Sequence, residues 1–93
     1  MAIRYEQLFA FAVFAEHLSF THAAKRLGLS QPALHVQVKK LSESVGVPLY
    51  TKRGRALVLT AAGERLAVFA RDVRARGDAL LSELRGGDGT GFA

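Results

Sequence analysis

The stretch Gln31-Pro32-Ala33-Leu34-His35-Val36 carries the residue types of this chain best suited to reading the edges of stacked bases. A glutamine amide offers a donor beside an acceptor, which matches adenine. Proline and valine offer apolar surface for a thymine methyl, and a histidine ring can donate to or accept from a base edge. On a helical wheel Leu34, Val38, Leu41 and Val45 form one narrow apolar seam, with Pro32, Val36, Lys39 and Glu43 opposite and His35 and Lys40 on the flanks. Such a helix buries its seam and can lie in a major groove with its N-terminal residues at the bases. Lys39 and Lys40, further along, are placed for phosphates, which add affinity without sequence information. Ordinary solvated lysines are the plain alternative for both.

The charge distribution favours the polyanion. The 93 residues carry a net charge of +5. Residues 25–55 hold Lys25, Arg26, Lys39, Lys40, Lys52, Arg53 and Arg55 against Glu43 alone. Residues 1–24 hold Arg4 against Glu6 and Glu16, and the five Arg after position 55 are balanced by five acids. A field concentrated in one segment attracts a polyanion at range and steers its approach. Lys52, Arg53 and Arg55 surround Gly54 between two short β-prone runs, Leu49–Thr51 and Ala56–Leu59. That pattern predicts a hairpin with a basic tip, able to follow a DNA backbone or enter a narrow minor groove.

Catalysis is not indicated. There are three His and no Cys, and His17 and His22 stand five apart across an expected turn, a poor metal pair. Glu64, Asp72, Asp78 and Glu83 read as a solvated helix face, and no phosphate loop or nucleophile motif occurs, so no catalytic residue, metal or cofactor is expected. The absence of cysteine fits the cytoplasm. No run of about 18 apolar residues points to a membrane span.

The elements that must position these groups follow from periodicity and capping. Residues 4–17 form a helix with two apolar stripes, Leu8/Ala12/Ala15 and Phe11/Phe14/Leu18, so it packs on two sides. Residues 19–29 form a short second helix capped by Ser19 or Thr21, with Ala23, Ala24 and Leu27 inward and Gly28 at its end. Ser30 caps a third helix, Pro32 is tolerated in its first turn, and Gly46 and Pro48 end it. Ala24, Gly28 and Leu34 have the spacing of a helix-turn-helix, with an ordinary helical hairpin as the alternative. Thr60 caps a long fourth helix, 61–85, ended by Gly86-Gly87, and the remaining residues read as a flexible tail. The expected organisation is mainly α: a winged helix-turn-helix of three helices plus a two-stranded wing over 1–60, a linker helix over 61–85, and a tail over 86–93.

On the fourth helix Leu66, Ala70, Val73, Gly77, Leu80 and Leu84 alternate steps of four and three, a heptad-like seam. Two-stranded pairing with a second copy is the preferred reading, since the helix is too long for covering the first helix to account for the whole seam. Small Ala70 and Gly77 would let two such helices approach closely. A helical protein–protein interaction module remains the rival to DNA binding.

From residue 1 to about residue 84 the sequence resembles the N-terminal region of the LysR-type transcriptional regulators. The resemblance rests on Leu8-Phe9, on Ser19-Phe20-Thr21 with Ala23-Ala24 and Leu27, and on Ser30-Gln31-Pro32-Ala33-Leu34. It continues through Val38, Leu41, Gly46-Val47-Pro48-Leu49-Tyr50, Gly54-Arg55, Leu59-Thr60 and Gly63. It implies a winged helix-turn-helix binding promoter DNA as a homodimer through an antiparallel linker-helix pair, with tetramers possible in a full-length protein. It also implies base contacts from Gln31, Pro32, His35 and Val36, helped by Thr21, and Lys52 at the wing; Thr21, Ser30, Arg53 and Arg55 are expected at the DNA backbone. Full-length members carry an effector-binding domain, of which nothing is expected within these residues; a small-molecule effector is implied only if such a domain follows, and a fragment is the favoured reading. Two departures stand out: His35-Val36 occupies the family's usual Ser-Arg, and Lys52 its usual Arg. Operator preferences therefore do not transfer. The molybdate-responsive regulators have a similar N-terminal domain.

Overall fold

A computed structural model describes residues 3–86, in the order α1 (Tyr5–His17), α2 (Phe20–Leu27), α3 (Gln31–Val45), β1 (Tyr50–Arg53), β2 (Ala56–Leu59) and α4 (Ala61–Leu84). The expected tail beyond Gly86 lies outside the described residues. No helix among those described is long and apolar enough to cross a membrane.

Local chemistry sets most boundaries. The Ser19 hydroxyl accepts from the His22 amide and the Ser30 hydroxyl from the Ala33 amide, each at 3.2 Å, so α2 and α3 both start on a serine cap. Between them, Gly28 takes a left-handed φ of +68°, the Leu29 amide reaches the Ala24 carbonyl at 2.9 Å, and the Gly28 amide reaches that of Lys25 at 3.2 Å. This double closure satisfies the last carbonyls of α2 and turns the chain within three residues. Leu18, which ends α1, also has a left-handed φ, +49°, the one non-glycine case among the described residues. The cost is offset by its amide, which donates to the Phe14 carbonyl at 2.7 Å.

The core is built on α1. Phe11, Phe14, Leu34, Val38, Leu41 and Leu49 are fully buried, and Ala23 and Ala24 let α2 approach closely. Burying each of the larger side chains contributes about 1.5–3 kcal/mol. The opposite stripe of α1, Leu8 and Ala12, is covered by Leu66, Ala70 and Val73 of α4. The two-sided helix expected from the sequence is what the structure has.

The wing differs from expectation in one strand. Leu49 is a core residue, and β1 runs from Tyr50 to Arg53, in register Tyr50 with Leu59 through Arg53 with Ala56. Lys52 and Arg53 are therefore strand residues, and the tip is only Gly54-Arg55. Gly54, with φ +60°, makes so short a reversal possible, because a two-residue hairpin turn needs a positive φ at its first central residue when the second has none.

α4 is joined to the rest by a compact clasp. The Thr60 hydroxyl donates to the Pro48 carbonyl at 2.7 Å and accepts from the Gly63 amide at 3.0 Å, while the Thr60 amide donates to the Leu49 carbonyl at 3.1 Å. One residue thus caps α4 and ties its start to the segment entering the wing. At the far end of the α1 contact, the Arg74 guanidinium lies 4.8 Å from the centre of the Phe9 ring, which itself stacks on Tyr5. The last turns of the helix, with Leu80, Leu81 and Leu84 exposed, are left uncovered, and one dimension of the molecule reaches 55 Å against 27 and 19 Å for the others.

Candidate nucleic-acid interface

The seam of α3 faces α1, with Leu34, Val38 and Leu41 buried. The other side is open: Gln31, Pro32, His35, Val36, Lys39 and Lys40 are all exposed, as are Thr21 at the start of α2 and Ser30 at the cap of α3. Val36 is 48% accessible, high for an aliphatic residue on a helix that packs its opposite side so fully, and this apolar spot among polar neighbours suits a partner with methyl groups.

The wing lies beside α3, and Tyr50 divides the space between them into two hollows. One is bordered by Phe20, His35, Tyr50, Lys52 and Arg55, the other by His35, Val36, Lys39 and Tyr50. Side chains alternate across a strand, so Tyr50 and Lys52 share the face toward the helices and Arg53 takes the other. The structure therefore brings Lys52 and Arg55 to His35 but leaves Arg53 on the back of the ribbon. Lys40 is also set apart, bordering a shallow groove with Arg4, Gln7 and Glu43 on the α1 side.

The electrostatics are those of an unneutralised surface. Among the described residues the ion pairs are Arg4 with Glu6 at 3.7 Å and Arg76 with Asp72 at 3.2 Å, both exposed. Among the described residues, none of the seven cations of residues 25–55 has a carboxylate partner, so their field is available to an anion outside the domain.

Sequence reasoning missed two contributors. Phe20 was read only as part of a family motif, yet its ring stacks on His35. Gly63 was likewise a motif letter, yet it is buried against the Leu49 carbonyl, where a side chain would not fit. The first depends on how α2 crosses α3 and had no signal in the local pattern; the second was hinted at by a glycine inside the first turn of an otherwise strong helix.

On the fourth helix the six-residue seam divides. Leu66, Ala70 and Val73 pack on α1, whereas Leu80 and Leu84 are more than half exposed, with Leu81, Phe69 and Val68 also open.

The model of the bacterial regulatory helix-turn-helix proteins, lysR family, matches residues 5–64. The chain is 51% identical over 77 residues to the probable hydrogen peroxide-inducible genes activator of Streptomyces viridosporus, an alignment that covers 83% of this chain and 25% of that protein. Among solved structures, the oxidized form of Corynebacterium glutamicum OxyR matches with a TM-score of 0.85 at 32% identity, over 97% of this chain and 28% of that one. The BenM DNA-binding domain, in complex with catB site 1 DNA, also matches with a TM-score of 0.85, at 27% identity, over 96% of this chain and 99% of that one. The chain thus spans about a quarter of the length of the curated relative and of OxyR. With the family model covering the helix-turn-helix, the wing and the start of α4, the chain belongs to the lysR family of bacterial regulatory helix-turn-helix proteins.

Proposed function

We propose that these residues form the double-stranded DNA-binding module of a dimeric cytoplasmic transcription regulator, without enzymatic activity. The observation that carries this reading is the exposed face of α3, framed by cations that have no partner within the described chain. In this arrangement α3 enters the major groove with Gln31, Pro32, His35 and Val36 at base edges. Thr21, Ser30 and Lys39 meet the flanking phosphates, and Lys52 and Arg55 reach the backbone or adjacent minor groove from the wing. Arg53 and Lys40, on outlying surfaces, act through the general field. The likeness to a BenM domain solved on DNA supports the same docking.

Selection of binding sites from a random duplex pool tests it. The Gln31→Ala variant is expected to relax preference at one base pair of each half-site, a loss of about 1–3 kcal/mol of discrimination. Lys52→Ala is expected to weaken all sequences alike and to reduce the log–log salt slope by about 1. Unchanged binding in both variants would mean that the face is wrongly assigned, and binding to a partner that does not weaken steeply with salt would favour the protein-interaction reading.

Pairing is assigned to the half of α4 that α1 leaves uncovered, with Gly77, Leu80 and Leu84 central and the earlier seam residues Leu66, Ala70 and Val73 contributing where their edges remain open. Leu80→Asp is expected to convert a sedimenting dimer into a monomer while leaving the helix-turn-helix folded. An unchanged sedimentation coefficient for that variant rejects this surface.

A further inference from the structure

His35 is exposed, yet its side chain is held. Its imidazole stacks on the ring of Phe20, the first residue of α2, with centroids 3.6 Å apart and planes 18° from parallel. Phe20 is held in turn, its centroid 4.5 Å from that of Phe14 and 5.6 Å from that of Tyr50, which meets it edge-on. Phe14 is fully buried. An unbroken series of rings therefore runs from the core, through the start of α2, to the outward face of α3. No side-chain hydrogen bond among the described residues engages the imidazole. Of the two hollows it borders, one brings Lys52 and Arg55 and the other Lys39 together with Glu43, so cations outnumber carboxylates around the ring by three to one.

We propose that Phe20 is a positioning residue for base recognition: by fixing the plane of the His35 ring it commits one imidazole N–H to one purine N7 in each half-site. The role rests on the DNA-reading function proposed above. Hydrogen bonds weaken steeply as they bend, so a ring free to turn accommodates several base edges whereas a ring locked in plane accepts few. Purine N7 is the acceptor common to adenine and guanine in the major groove, and the surrounding cations suit an acceptor rather than a donor. Ordering the ring before binding also removes an entropic cost from the bound state.

The test combines spectroscopy of the free chain with a double-mutant cycle on DNA. In the free wild-type chain the His35 ring protons should be shifted upfield by the Phe20 ring current, and Phe20→Leu should abolish the shift; its absence in the wild type overturns the stack without reference to DNA. On the site selected by the wild type, Phe20→Leu is expected to lose about tenfold in affinity when His35 is present and less than twofold in the His35→Ala background. The loss should appear as relaxed preference at one purine position. Replacing that purine by its 7-deaza analogue should cost the wild type the same factor and cost Phe20→Leu nothing. Phe20→Tyr, which keeps a flat face, should retain the preference. Equal losses with and without His35, or a loss spread evenly over all positions, would show Phe20 to be merely structural. A wild-type chain that enriches no sequence while keeping the ring-current shift would overturn the DNA-reading function and this role with it, but not the stack.

Discussion

Gly63→Ala is expected to cost the chain about 3–5 kcal/mol, the sum of an overpacking term and of a backbone hydrogen bond broken to make room. The backbone at Gly63 is ordinary helix, so the requirement is space rather than conformation. A Cβ there would run into the Leu49 carbonyl, with the carbonyl carbon 2.9 Å away. That carbonyl already accepts from the Thr60 amide at 3.1 Å, and the Pro48 carbonyl beside it accepts from the Thr60 hydroxyl at 2.7 Å. Backbone cannot step aside as a flexible side chain can. For a domain of this size the expected loss lowers the thermal midpoint by roughly 15–30 °C, read by far-ultraviolet circular dichroism. Gly77→Ala, compared with Gly63→Ala in the monomeric Leu80→Asp background so that no partner helix meets position 77, is the internal comparison. Nothing lies within 4 Å of a Cβ at Gly77, so helix propensity there favours alanine by about 1 kcal/mol. A midpoint for Gly63→Ala within a few degrees of the wild type would show that the clasp yields.

Phe14→Ala is expected to be as damaging for the opposite reason, a void in place of a clash. Phe14 has no accessible surface, and its centroid lies 6.2 Å from that of Phe11, 4.5 Å from Phe20 and 5.2 Å from Tyr50. Truncation at such a site costs about 3–5 kcal/mol, and a small domain has only about 5–15 kcal/mol in total. For a stability in the middle of that range, urea unfolding should show the midpoint falling by roughly a third to a half with the slope unchanged. Phe14→Leu, which keeps most of the volume, should cost under about 1.5 kcal/mol. Similar midpoints for the two variants would mean that the ring cluster contributes little.

The elements were legible where a boundary depends on neighbours in sequence. Ser19, Ser30 and Thr60 cap the helices they precede, and Gly28 and Gly46 take the left-handed conformation that ends α2 and α3. The inward and outward sides of α3 were legible for the same reason, since 3.6-residue periodicity is a local property. What periodicity leaves open is the partner. The heptad spacing from Leu66 to Leu84 reads as one seam, but its first half is spent on Leu8 and Ala12 of α1. β1 was misplaced because Leu49, an apolar residue beside a tyrosine, looks equally suited to a strand and to a core. The Phe20–His35 stack was out of reach, because the two residues are 15 apart in sequence and meet only through the crossing of two helices.

The clasp at Thr60 and Gly63 also has a mechanical meaning. From Gly63 to Leu84 the helix rises about 32 Å, at roughly 1.5 Å per residue, and it is gripped only over its first few turns. It is a lever with its pivot beside the wing. If two copies are joined near Leu80, about 26 Å along the helix from Gly63, a swing of roughly 8° about that pivot shifts the body by about 3.4 Å relative to its mate, the spacing of one base pair. A stiff pivot then holds the register of the two half-sites, and a slackened one, as in Gly63→Ala, lets one protein read operators whose spacing differs by a single step.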